Sequence, residues 1–153
     1  MYNAYSKTLQ DVELSLPVNH EGIYNMACDY AEYEKHNHEA RNYYVLVVVT
    51  PGVVDDLEAS LEAVTRAAEL PLSVLIVKVG NVQLDDVNDP AEMLKQSEEK
   101  FEECERRYID LVAYEDYKKE GAEAFELELI RRIPDQVQKY MEKNRVFAYD
   151  LTA

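Results

Sequence analysis

His36 and His38 flank Asn37, and two neutral imidazoles so placed could begin a zinc site. A stable site needs three or four ligands, and none stands at suitable local spacing, so the pair reads as surface histidines. Carboxylates gather at Asp85, Asp86 and Asp89, and again at Glu98, Glu99, Glu102, Glu103 and Glu105. On a helix the second group falls on several faces, which describes a solvated surface better than weak calcium binding. Nucleophilic chemistry would need Ser or Cys beside a base, or a glycine loop for phosphate. Neither G-x-S-x-G, a phosphate-binding loop nor G-x-G-x-x-G occurs, and Gly80-Asn81 reads as a strand-ending turn. No catalytic residue and no cofactor is predicted.

The chain that would position such residues has 153 of them, 47% hydrophobic and 31% charged, the balance of a folded domain despite a net charge of -15. One domain over residues 1–153 is expected. With 31 acidic against 16 basic residues and a pI near 4.5, phosphate backbones and anionic membranes are repelled, which disfavours nucleic acid and direct membrane insertion. The acidity suits solubility or an electropositive protein partner. Cys28 and Cys104 form no C-x-x-C pair and are too few to staple a secreted framework, so free thiols in a reducing compartment are expected. No basic-then-apolar leader is legible in Met1 to Leu16, and the longest apolar run, Val45 to Val49, is too short to span a bilayer. A cytoplasmic protein is expected.

Tyr2, Tyr5, Leu9 and Val12 repeat at helical spacing, and Leu14 to Pro17 then break the pattern. Asn19 could cap a second helix over about 21–37, with Ile23, Met26, Ala27, Tyr30, Tyr33 and Glu34 on the periodic face. Tyr43 to Thr50 is continuously apolar and β-branched, which predicts a strand buried on both faces. Pro51-Gly52 ends it, and a helix from Asp55 or Asp56 to Glu69 carries Leu57, Leu61, Val64 and Ala68. Leu72 to Val79 is a second such strand, so a parallel sheet follows. A helix over about 88–106, a more exposed edge strand over Tyr108 to Tyr114 and a helix from Gly121 through Phe125, Leu129, Ile133, Val137 and Tyr140, broken at Pro134, complete the reading. The fold class is α/β, a parallel Rossmann-like sheet flanked by helices. Of twelve tyrosines, Tyr2, Tyr5, Tyr24, Tyr30, Tyr33, Tyr43 and Tyr44 fall in the first third, where they could line an interface or be partly buried.

Residues Tyr44 to Asp56 (YVLVVVTPGVVDD), Ala63 to Asn81 (AVTRAAELPLSVLIVKVGN) and Ile133 to Met141 (IPDQVQKYM) resemble the von Willebrand A-like domain of copines, as does Leu16-Pro17-Val18-Asn19. The likeness covers most of the chain, with Val82 to Tyr117 divergent. It implies a eukaryotic protein whose relatives bind phospholipid in response to calcium through C2 domains, which this sequence does not show, and whose A-like domain recruits proteins. It also implies that only the later part of the domain is present, with the first strand and its Asp-x-Ser-x-Ser-like motif missing. The family's adhesion site holds a hard cation with oxygens from several loops. Where the family has Pro-Thr-Asn, this chain has Pro17-Val18-Asn19; where the family has Thr-Asp-Gly, it has Thr50-Pro51-Gly52. Val18 and Pro51 cannot ligate a cation, so a degenerate adhesion site without metal is expected.

By the family's strand order the missing strand would lie beside Tyr43 to Thr50, leaving that edge bare. A flat apolar edge with unpaired N–H and C=O groups is a template for another chain. Tyr43, Tyr44, Val45, Val47 and Val49 are therefore the candidate interface, across a homodimer or with a partner's strand. The expected function is a non-catalytic protein-interaction module. The alternatives are a calcium-responsive phospholipid-binding role in membrane trafficking and an enzyme with a divergent acidic site at Asp85, Asp86 and Glu98.

Overall fold

The computed structural model describes residues 2–12, 19–37, 42–80 and 89–146. Helices α1 (Tyr2–Asp11) and α2 (Glu21–Asn37) precede strand β1 (Tyr44–Thr50). Helix α3 (Leu57–Thr65) tightens into a 3-10 turn at Arg66–Glu69 before β2 (Leu72–Lys78). Then come α4 (Pro90–Gln96), α5 (Glu98–Glu103), β3 (Ile109–Ala113), the single turn α6 (Tyr114–Tyr117), α7 (Ala122–Arg131) and α8 (Ile133–Asn144). The fold is α/β, with a parallel sheet in the order β1-β2-β3 and a register that sets Val47 beside Leu75 and Leu75 beside Asp110.

Alternation along the strands sorts the core into two layers. Val48, Leu72, Val74, Ile76 and Ile109 face α2, α3 and α4, where Tyr24, Cys28, Ala31, Val64 and Met93 join one cluster. Leu75, Val77 and Val112 face the other way and are covered by Tyr117, Phe125 and Leu129 from α6 and α7. Helix α8 lies on this second face, its Gln136 Nε2 donating to Asp110 Oδ2 at 2.6 Å and its Tyr140 ring edge-on to Tyr43 at 5.7 Å.

Several expectations are revised. Among the described residues the second face of β1 is left open: Val45, Val47 and Val49 are exposed, whereas α6 and α7 cover Leu75, Val77 and Val112 of β2 and β3. Strand β3 does lie at the end of the described sheet, yet Ile109, Asp110 and Val112 are buried, since helices cover both its faces. The long helix expected over 88–106 divides at Ser97, a buried residue whose hydroxyl donates to the Met93 carbonyl at 2.7 Å. The final helix divides at Arg132, with Pro134 in the first turn of α8, where its missing N–H costs nothing. The loop expected at Leu14 to Pro17 lies outside the described residues.

Arg106 ties these layers together. It is 2% exposed, and its guanidinium donates to the carbonyls of Ala67, Ala68, Leu70 and Leu72 at 2.7–3.2 Å and to the Tyr43 hydroxyl at 2.8 Å. Its planar face lies 5.0 Å from the Tyr140 ring centre. The charge is thus balanced by carbonyl dipoles at the end of the 3-10 turn rather than by a carboxylate.

Candidate protein interface

In a strand, successive residues direct their backbone groups to opposite sides. Tyr44 N–H donates to Pro71 O at 2.8 Å and Val79 N–H donates to Thr50 O at 2.9 Å, so the even-numbered residues of β1 face β2. Val45, Val47 and Val49 therefore direct N–H and C=O away from β2, and among the described residues no strand occupies that side. The side chains of the same three residues point to the uncovered face and are 43%, 50% and 68% exposed. One short segment thus leaves both its backbone and its side chains unused.

Beside this edge stands α2. Its core-facing residues are Tyr24, Cys28 and Ala31, whereas Ile23, Met26, Tyr30 and Tyr33, at 37%, 49%, 61% and 62% exposure, form a second apolar stripe. Ile23, Met26 and Tyr30 line a groove of about 170 Å³ together with Tyr44, Val45 and Leu46, so stripe and edge are one continuous surface. No charged residue occurs from Tyr43 to Val54.

The attitude of α2 is fixed from outside the helix. Asp56 accepts from the backbone N–H of His20 at 2.9 and 3.0 Å, from that of Glu21 at 2.9 Å and from the Ser60 hydroxyl at 2.9 Å. This distant carboxylate does the capping expected of Asn19, and it places negative charge at the positive end of the helix. Burial pushes the Asp56 carboxyl upward, but the donors from Glu21, His20 and Ser60 prevail and hold it below the usual carboxylate value. Arg66 adds ion pairs to Asp29 at 2.8 Å and Glu32 at 3.1 Å, and Lys35 donates to the Glu69 carbonyl at 2.7 Å. These contacts lock the polar flank of α2 onto α3 and the 3-10 turn and so turn the Ile23–Tyr33 stripe outward.

Of the residues proposed from sequence, Val45, Val47 and Val49 share the uncovered face, and Tyr44 stands on the opposite face in the groove beside α2. Tyr43 does not join them: it is half-buried, its hydroxyl 2.8 Å from Ser73 Oγ and held by Arg106. Val18, His38, Asp85 and Asp86 lie outside the described residues, as do the side chains of Tyr2 and Tyr5. Pro51 is exposed beside Gly52, whose N–H donates to Thr50 Oγ1 at 3.2 Å while that hydroxyl donates to Val53 O at 3.4 Å. Lys78 lies across this turn: a Cβ on Gly52 would meet its Cε at 2.5 Å, and its Nζ pairs with Asp89 at 2.9 Å. His36 stands 4.0 Å from Glu32, and Glu98 is exposed on α5. Among the described residues no group of three or more His, Cys, Asp or Glu is placed to hold a metal ion. No helix of the described residues is long and apolar enough to cross a membrane.

Ile23, Met26 and Tyr30 were expected to face the core, and the structure rotates that face by placing Tyr24, Cys28 and Ala31 inward. The sequence does hold the clue. The apolar residues of 21–37 cover a wider arc than one core-facing stripe needs, and the excess marks a second contact surface. A family model described as Copine matches residues 1–148.

Proposed function

The chain belongs to the copine family, and from that premise we propose that it is a non-catalytic protein-interaction module that assembles with another chain through the free edge of β1. The observation carrying this reading is the row Val45, Val47 and Val49, exposed in side chain and turned outward in backbone at the end of the described parallel sheet. An open apolar edge of this kind recruits a strand by main-chain hydrogen bonding.

Cation-dependent adhesion is not the means. Pro51 offers neither a carboxylate nor an N–H where the copine resemblance expects an aspartate, the Thr50 hydroxyl is engaged by its own turn, and the Lys78 arm crosses the same turn. Val18 removes a further hydroxyl from the ligand set. These features support a degenerate adhesion site and an interface built on strand and apolar surface alone.

The test is the mass of the purified chain in solution. An assembly larger than 17.7 kDa is expected, and Val47→Lys, a change at a half-exposed position, is expected to weaken it at least tenfold while far-ultraviolet circular dichroism stays unchanged. A chain that remains at monomer mass throughout a concentration series, or an assembly insensitive to Val47→Lys, sinks the proposal.

A further inference from the structure

We infer that the chain occupying the β1 edge is a second copy of this one, paired antiparallel about a twofold axis through Val47. The inference rests on the edge-pairing reading above and specifies its partner and register. A twofold axis normal to the sheet at Val47 sets Val47 against Val47 of the second copy and Val45 against Val49 of the second copy. All three are residues whose N–H and C=O face outward, so each opposed pair becomes a hydrogen-bonded pair that exchanges two N–H···O bonds. The two sheets join into one that runs β3-β2-β1-β1-β2-β3.

Neighbouring registers fit less well. Sliding the axis to Val48 sets Val45 against Pro51, which has no N–H to give. Sliding it to Leu46 sets Val49 against Tyr43, which precedes β1 and lies outside the strand. Only the register centred on Val47 opposes the three outward-facing valines of β1 to one another and to nothing else.

The same axis keeps both α2 helices on one face of the joined sheet, so the two Ile23–Met26–Tyr30–Tyr33 stripes meet above the seam. Ile23, Met26, Tyr30 and Tyr33 are 37–62% exposed in the single copy, so this face supplies apolar surface beside the new strand pair. The absence of charge from Tyr43 to Val54 lets two copies approach there although each carries a net charge of -15.

Single-cysteine variants test the register. Cα atoms of a hydrogen-bonded antiparallel pair lie about 5.5 Å apart, within disulfide range. Val47→Cys is expected to form a covalent dimer on mild oxidation. Val45→Cys and Val49→Cys are each expected to stay uncrosslinked alone, because each is displaced from its own copy along the strand, and to give a mixed dimer when combined. Cys28 and Cys104 are buried, so the parent chain serves as the uncrosslinked control. If the chain assembles in a manner sensitive to Val47→Lys, yet Val45→Cys or Val49→Cys crosslinks to itself as readily as Val47→Cys, edge pairing survives and the twofold register is overturned. A monomer at every concentration overturns both.

Discussion

Arg106 shows how much of this fold depends on one side chain whose role its sequence neighbourhood hides. It stands just after a run of glutamates and lysines that reads as a solvated helix, yet it is buried and spans from the 3-10 turn to β2 and Tyr43. Each bond from a charged donor contributes about 1.5–3 kcal/mol, and the Ala67 and Leu70 carbonyls keep a second backbone partner. Arg106→Met is therefore expected to lower stability by about 3 kcal/mol in urea unfolding. Arg106→Lys is expected to recover only part of it, since a compact ammonium cannot span the fork of acceptors. A loss below about 1 kcal/mol for the methionine variant would show that the carbonyls are satisfied without it. The types of Tyr43 and Tyr44 are equally uninformative: adjacent in sequence where β1 begins, they point opposite ways, one pinned by Arg106 and one left at the edge.

At the scale of elements, periodicity reads well where one face decides the structure and less well where two forces meet. The β1–α3–β2 unit was legible because runs of Val, Leu and Ile bounded by Pro51-Gly52 and Pro71 leave little alternative. The break at Ser97 was not, because it coincides with a buried hydroxyl that shares the Met93 carbonyl with the Ser97 N–H, a contact without a periodic mark. The length of helix α2 is legible in the sequence, but its orientation is not, because the residue capping it, Asp56, lies 35 positions beyond Glu21. Asp56→Ala is expected to cost about 1 kcal/mol near neutrality, the usual value of a lost cap. The pH dependence follows from the direction of the shift. Because the folded carboxyl titrates below its ordinary 3.8, the stabilisation is complete above that value and is lost as pH falls through the lower folded value. The gap between parent and Asp56→Ala is thus expected to close in strong acid. A gap that persists unchanged into acid would mean that the charge on Asp56 does not hold the helix.

The whole molecule combines a net charge of -15 with one uncharged apolar belt, and these act in opposite senses on self-association. Two such chains repel over a Debye length of about 10 Å at 0.1 M salt and less as salt rises. Composition made the charge plain, and the copine likeness pointed to the bare strand edge. The α2 stripe beside it needed the fold, because whether Ile23 and Tyr30 look inward or outward depends on how Arg66 and Asp56 turn the helix. The measurement that tests the central claim most directly is the light-scattering mass of the purified chain at rising salt, with and without added magnesium and calcium. Edge pairing through uncharged valines predicts a dimer that tightens as salt rises and is indifferent to the divalent ions beyond their ionic strength. A monomer that assembles only when magnesium or calcium is present, at matched ionic strength, would contradict it and return the cation to the centre of the function.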